Sequence, residues 1–140
     1  MREILFRGKR VDNGEWVYGF YFQKQNPLSS DGLPITHHIS DIPPFGYEVI
    51  PETVGQFTGL YDKNGKKIFE GDYIVCRKAI VGNFVDTFIE MGYVEMKYGA
   101  FGLHRKQGYY RPFKDWLEDY EYEVIGNIHD NPELLKGGDE

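Results

Sequence analysis

The stretch Thr53–Asp72, TVGQFTGLYDKNGKKIFEGD, decides how this chain folds. Gln56–Tyr61 and Lys66–Glu70 each carry apolar residues at strand spacing, and Asp62-Lys63-Asn64-Gly65 lies between them. Asn-Gly accepts the positive φ that a tight hairpin needs, so the two runs are expected to pair. Glu70-Gly71 then turns the chain into a further strand, Asp72–Lys78, with Ile74 and Cys76 on one face and Val75 on the other. Outward from this stretch, the same device recurs at Asp12-Asn13-Gly14, between a short run around Ile4–Phe6 and the strand Trp16–Tyr21. Apolar residues stand on both alternations of that strand, which predicts cover on both of its faces.

The composition fits a chain of short strands. Aromatic residues make up 16% of the chain, against 17 glycines for its turns, so a β-rich fold is favoured over a helical one. At 140 residues the chain is long enough for one domain with its own core. A net charge of −6 argues against a whole-surface binder of nucleic acid or anionic membrane. Cys76 is the single cysteine, so neither a disulfide framework nor a thiolate metal cluster is available. With no leader-like start and no long apolar run, a cytoplasmic location is the expectation.

Further along, Tyr47–Pro51 reads as a strand closed by proline, and Phe84–Tyr98 as a long strand with Gly92 marking a bulge. Gly99-Ala100-Phe101-Gly102 is the expected turn back through Leu103. Phe113, Trp116, Leu117 and Tyr120 follow Pro112 at helical spacing and predict a short amphipathic helix. Glu123–Ile128 returns to strand. Asn131 then stands as N-cap and Pro132 as first residue of a terminal helical turn. Residues 25–47, rich in proline, serine and glycine, read as a long irregular insertion with a short strand near Ile35–Ile39, either a packed arm or a mobile loop. The expected class is mainly β, a β-rich α+β fold of antiparallel sheets with one or two short C-terminal helical segments. One domain is expected over 1–135, ahead of a frayed polar tail at 136–140.

Three blocks together resemble one known family. EILFRGKRVDNGEWVYGF (3–20), TGLYDKNGKKIFEGD (58–72) and VIGNIHDNPELL (124–135) are similar, in order, to the blocks of the YopX family. The resemblance implies proteins of phages and prophages with bent, coiled β-sheets. It implies no enzymatic activity, and hence no catalytic residues to transfer. It makes Thr58, Gly59, Leu60, Asp62, Asn64, Gly65, Glu70, Gly71, Asp72, Gly126, Asn127, Asn131 and Pro132 turn and core signature positions. On this basis the expected function is that of a phage or prophage accessory protein acting by protein binding or homo-oligomerisation, without catalysis and without a cofactor.

Other site chemistries fit less well. Five residues separate Gly59 from Gly65, where a phosphate loop needs four, and Lys67 occupies the position of the magnesium-binding hydroxyl. Gly65 comes too early after Asp62 for an EF-hand loop. His37 and His38 are adjacent and point to opposite faces of a strand, so with Asp31 and Asp41 they do not form a metal site unless the loop folds over. Glu70, Asp72 and a loop histidine are the carboxylates and base that a hydrolase would use, yet no spacing demands it. The alternative function is single-stranded nucleic-acid binding through 104–114. There Arg105, Lys106, Arg111 and Lys114 interleave with Tyr109 and Tyr110, ready to follow phosphates and stack bases. The acidic run Asp115–Glu123 directly after it opposes a polyanion.

Overall fold

The computed structural model describes residues 3–25, 35–42, 45–80, 83–105, 110–113 and 120–136. Eleven strands and one helical turn fall in this range: β1 Phe6–Lys9, β2 Trp16–Gln25, β3 Ile35–Ile42, β4 Phe45–Glu48, β5 Gly55–Tyr61, β6 Lys67–Phe69, β7 Asp72–Ile80, β8 Asn83–Lys97, β9 Ala100–Arg105, β10 Tyr110–Pro112, β11 Tyr120–Asn127 and α1 Glu133–Lys136. The fold is mainly β and every described strand pair is antiparallel. By its internal contacts the chain divides into two compact units, residues 1–57 and 58–140, with β5 carrying the chain from one to the other.

In the first unit the strand order is β4-β3-β2-β1-β5. Asn13-Gly14 makes the turn between β1 and β2, with Gly14 at φ +72°. The end of β4 comes back to β1: Arg10 bridges Val49, and the Val11 N–H donates to the Glu48 carbonyl at 3.0 Å. The four strands therefore curl on themselves. Ile39, Val49 and Phe57 are buried in this unit. Thr53 caps it, accepting from the Lys9 N–H at 2.9 Å and donating to the Ile50 carbonyl at 2.6 Å.

In the second unit the order is β10-β9-β8-β7-β11, and the β5–β6 hairpin adds its apolar face. Its core is Ile68, Ile74, Cys76, Val94, Leu103, Phe113 and Tyr122, with Leu60, Phe101 and Val124 packed around them. Ile74 and Cys76 face this cluster together, as their spacing in a strand requires.

Several expectations need correction. The segment 25–47 is not irregular where it is described, because β3 and β4 occupy 35–42 and 45–48. Gly46 lies within β4, and β2 supplies the pairing for β3 from Phe20↔Ser40 to Gln25↔Ile35. Strand β2 is not covered on both faces, since Tyr18 and Phe20 are about half exposed. Gly92 is no bulge: it pairs in register with Ile74 and Arg105, and a Cβ there would meet the His104 carbonyl oxygen. Its lack of a side chain lets β9 approach closely. The hairpin turn is Tyr98-Gly99 rather than 99–102, with both residues at positive φ (+53° and +79°), the backbone of a two-residue type I′ loop. The helix expected after Pro112 falls mostly outside the described residues. At its ends, Pro112 closes β10 and Tyr120 opens β11, so neither residue is helical. Asn131 does not cap α1 with its side chain; its Oδ1 turns back to accept from the Asn127 N–H at 3.2 Å. Pro132 precedes the helical turn, which starts at Glu133.

Candidate functional site

The family signature closes on itself. Asp62 is buried at the β5–β6 turn. Its Oδ1 accepts from the Asn64 and Lys66 N–H groups at 2.8 and 2.9 Å, and its Oδ2 from the Val124 N–H of β11 at 3.1 Å. Burial alone would raise the Asp62 pKa. The three backbone donors and the nearby Lys66 ammonium overcome this and hold it below the ordinary carboxylate value. The Lys63 N–H adds a bond to the Tyr122 carbonyl at 2.8 Å. Gly65 stands at φ +81° in open space. Thr58 donates to the Ile68 carbonyl and accepts from the Leu60 N–H, tying β5 to β6 across Gly59, which is at φ +90°.

The next turn is built the same way. Asp72 is 1% exposed and accepts from the Phe69 N–H at 2.8 Å, closing the Glu70-Gly71 reversal. Gly71, at φ +92°, bonds to the Val94 carbonyl and to the Ile128 N–H. In the last block, Asn127 Oδ1 accepts from the His129 and Asp130 N–H groups. A Cβ at Gly126 would come within 2.6 Å of Asn131 Oδ1 and 3.1 Å of Leu134. The signature positions are thus a structural clasp, with the turn carboxylates of Asp62 and Asp72 bonded to the backbone.

The basic-aromatic segment is only partly brought together. Lys106, Tyr109 and Lys114 lie outside the described residues. Arg105 pairs with Glu90 at 2.7 Å. The Tyr110 hydroxyl donates to the Ala100 and Lys97 carbonyls. Arg111 pairs with Leu103 in the β9–β10 ladder. Sequence reasoning missed Tyr98, which is 89% exposed at the adjoining turn, edge-on to Tyr110, with the Lys97 ammonium near both rings.

The histidines do not converge. His37 meets the Tyr21 hydroxyl at 2.6 Å, whereas His38 lies on the other face, stacked on Phe22 and 2.8 Å from Thr36 Oγ1. Burial lowers the His38 pKa, and Lys24 adds to the shift. Asp31 is outside the described residues. Among the described residues no three His, Cys, Asp or Glu side chains cluster to hold a metal ion. Cys76 is fully buried, and burial, helped by the Glu90 charge, pushes its thiol up to about 12. Among them also, no helix is long and apolar enough to cross a membrane.

A different surface stands out in the first unit. Trp16 and Tyr18 of β2, Ile42 of β3, and Phe45 and Tyr47 of β4 line a groove of about 810 Å³, floored by Ile39 and Ser40. Phe20 is also about half exposed, on the side of the sheet that it shares with Ser40. The Arg7 guanidinium lies 4.6 Å from the Trp16 ring centre, and that of Arg10 lies 4.0 Å from that of Tyr47. The sequence signal for this face was the run of apolar residues on both alternations of β2.

The family model described as YopX protein matches residues 5–136. The crystal structure of protein EF1440 from Enterococcus faecalis is similar to this chain at 23% identity, covering 96% of this chain and 99% of that one, with a TM-score of 0.48. No curated protein matches.

Proposed function

This chain belongs to the YopX family, and we propose that it acts as a non-catalytic accessory protein of a phage or prophage, by binding protein and by associating with itself in the bacterial cytoplasm. One observation carries the reading: the aromatic and aliphatic side chains of β2, β3 and β4 face solvent around a single groove. A contiguous apolar patch of this kind marks an interaction surface on a water-soluble domain. The commitment of Asp62, Asp72 and Cys76 to turns and core supports the same reading, since these are groups a hydrolase or thiol enzyme would use. The test is affinity capture from prophage-induced cells alongside the solution mass of the full chain. Self-association, or a captured protein whose binding saturates and is lost when the β2–β4 face is altered, is the expected result. A monomer at high concentration with no such partner contradicts it.

A second reading keeps one favourable observation. The exposed Tyr98 ring beside Tyr110 and Lys97 forms a cation-bearing stacking tip suited to single-stranded nucleic acid. It predicts salt-sensitive retention of single-stranded DNA or RNA, weakened by Tyr98→Ala. No retention at low salt removes it.

A further inference from the structure

Resting on the nucleic-acid reading above, we infer that a single strand lies along the face of β8, β9 and β10 between Tyr98 and His104, with a base stacked on the Tyr98 ring, and that the His104–Glu95 pair makes this site bind more tightly when His104 is protonated. Three observations carry this. The first is backbone strain. Among the described residues, Tyr98 is the only one other than glycine at positive φ, at +53°. Bulky side chains avoid that region, and asparagine enters it far more readily. The Tyr98 ring is 89% exposed, so it returns nothing to the core for this strain. A strained residue that holds its ring in solvent points to contact with something outside the protein.

The second is what the ring stands beside. His104 is directly opposite Tyr93 of β8 and Tyr110 of β10, so the three rings share one face. Tyr93 and His104 stack at 4.7 Å. The Tyr110 ring lies over Gly102, where a Cβ would come within 2.7 Å of it, and meets Tyr98 edge-on at 6.3 Å. The Lys97 ammonium is 5.5 Å from the Tyr98 ring centre and 5.9 Å from that of Tyr110. Rings with a cation beside them stack bases and hold the adjoining phosphate.

The third is charge. Glu95 is the one carboxylate on this face among the described residues, and it opposes phosphate. Its Oε1 is 3.2 Å from His104 Nδ1. Burial raises the pKa of Tyr93 and of Tyr110, and the Glu95 charge adds to both, so that charge is felt across the face. The described titratable groups facing His104 are Tyr93 and Glu95 from β8 and Tyr110 from β10. Arg105, the next residue, turns to the other face and pairs with Glu90. With His104 neutral, Lys97 and Glu95 cancel. With His104 protonated, the three together carry one net positive charge. Histidine makes that change between about pH 5 and 8.

The experiment is fluorescence anisotropy of a labelled single-stranded DNA of about 16 nucleotides with the full chain at low salt, at about pH 8 and about pH 5.5, with a thermal melt of each variant. Wild type is expected to bind ~5-fold more tightly at the lower pH, as one added phosphate contact does at low salt. Tyr98→Asn is expected to bind ~10-fold more weakly, as loss of a stacked base does, and to melt about 3 °C higher than wild type. Glu95→Gln should bind more tightly than wild type at the higher pH, and His104→Gln should lose most of the gain on acidification. A wild type that binds at neither pH overturns the nucleic-acid reading and this inference together. Binding that Tyr98→Asn leaves intact overturns the tip as the contact, and a melt of that variant at or below wild type overturns the strain argument. Binding that depends on Tyr98 but gains nothing on acidification, or gains as much in His104→Gln, overturns the role of the His104–Glu95 pair while leaving the nucleic-acid reading in place.

Discussion

The clasp at 58–72 and 124–135 and the face at 16–20 and 42–47 use side chains in opposite ways. In the clasp, polar groups are dense and turn inward: one Asp62 carboxylate accepts three backbone N–H bonds, and Asp72 is 1% exposed. On the face, large apolar groups turn outward, and Phe45 is 76% exposed. Density of Gly, Asp and Lys suggests a site in the sequence, yet it marks here where turns are hardest to build. Exposure of aromatics on a strand is what a domain does not need for its own stability. The family signature therefore lies in turns and core, and the surface proposed above for binding lies elsewhere.

That contrast breaks most readily at Asp62. Asp62→Ala removes the acceptor of three N–H groups and is expected to destabilise the protein by ~3 kcal/mol, since hydrogen bonds to charged groups are individually worth about 1.5–3 kcal/mol. A chemical denaturation midpoint checks it, and an unchanged midpoint would mean that the clasp is not structural. Gly65→Ala is the gentler probe. Nothing lies within 4 Å of the added methyl, so only the positive φ is penalised, by ~1 kcal/mol. A wild-type melting temperature in that variant contradicts the turn.

Acidification should separate the two regions without mutation. His38 sits in β3 with its pKa lowered, so the folded state holds it neutral, and Lys24, His37 and Glu48 are the charged or titrating groups that act on it. The resulting stability is complete above its ordinary 6.5 and is lost as pH falls through the folded value. Asp62 is also lowered, from 3.8, so its contribution is complete above that pH and lost only as pH falls below it. Amide exchange in β3 and β4 should therefore accelerate at a higher pH than exchange at Val124. Simultaneous loss in both would contradict the assignment.

Much of this was legible in the sequence. Both Asn-Gly turns were, because Gly14 and Gly65 take the positive φ that the dipeptide favours. Strand periodicity gave β2, β5, β7 and β8, and Cys76 fell in the core as its apolar neighbours implied. Strands β3 and β4 were obscured because prolines stand next to them in the sequence and Gly46 lies within β4, while the pairing that holds them, β2 with β3 and β3 with β4, leaves no local signal. Tyr98 carries no local signal for positive φ; the β8–β9 register imposes it. The clasp was visible as turns, but the bond from Val124 to Asp62, 62 residues apart, was not. The exposed face was misread because alternation shows which residues share a side of a strand and not what covers that side.

The most direct measurement is hydrogen–deuterium exchange on the full chain across a concentration series. Burial of an interface suppresses the local opening that exchange reports. β4 amides should gain protection as concentration rises, while the Val124 amide stays equally protected throughout. Protection that rises at the clasp and not at β4, or at neither, would contradict the division of labour between the two regions.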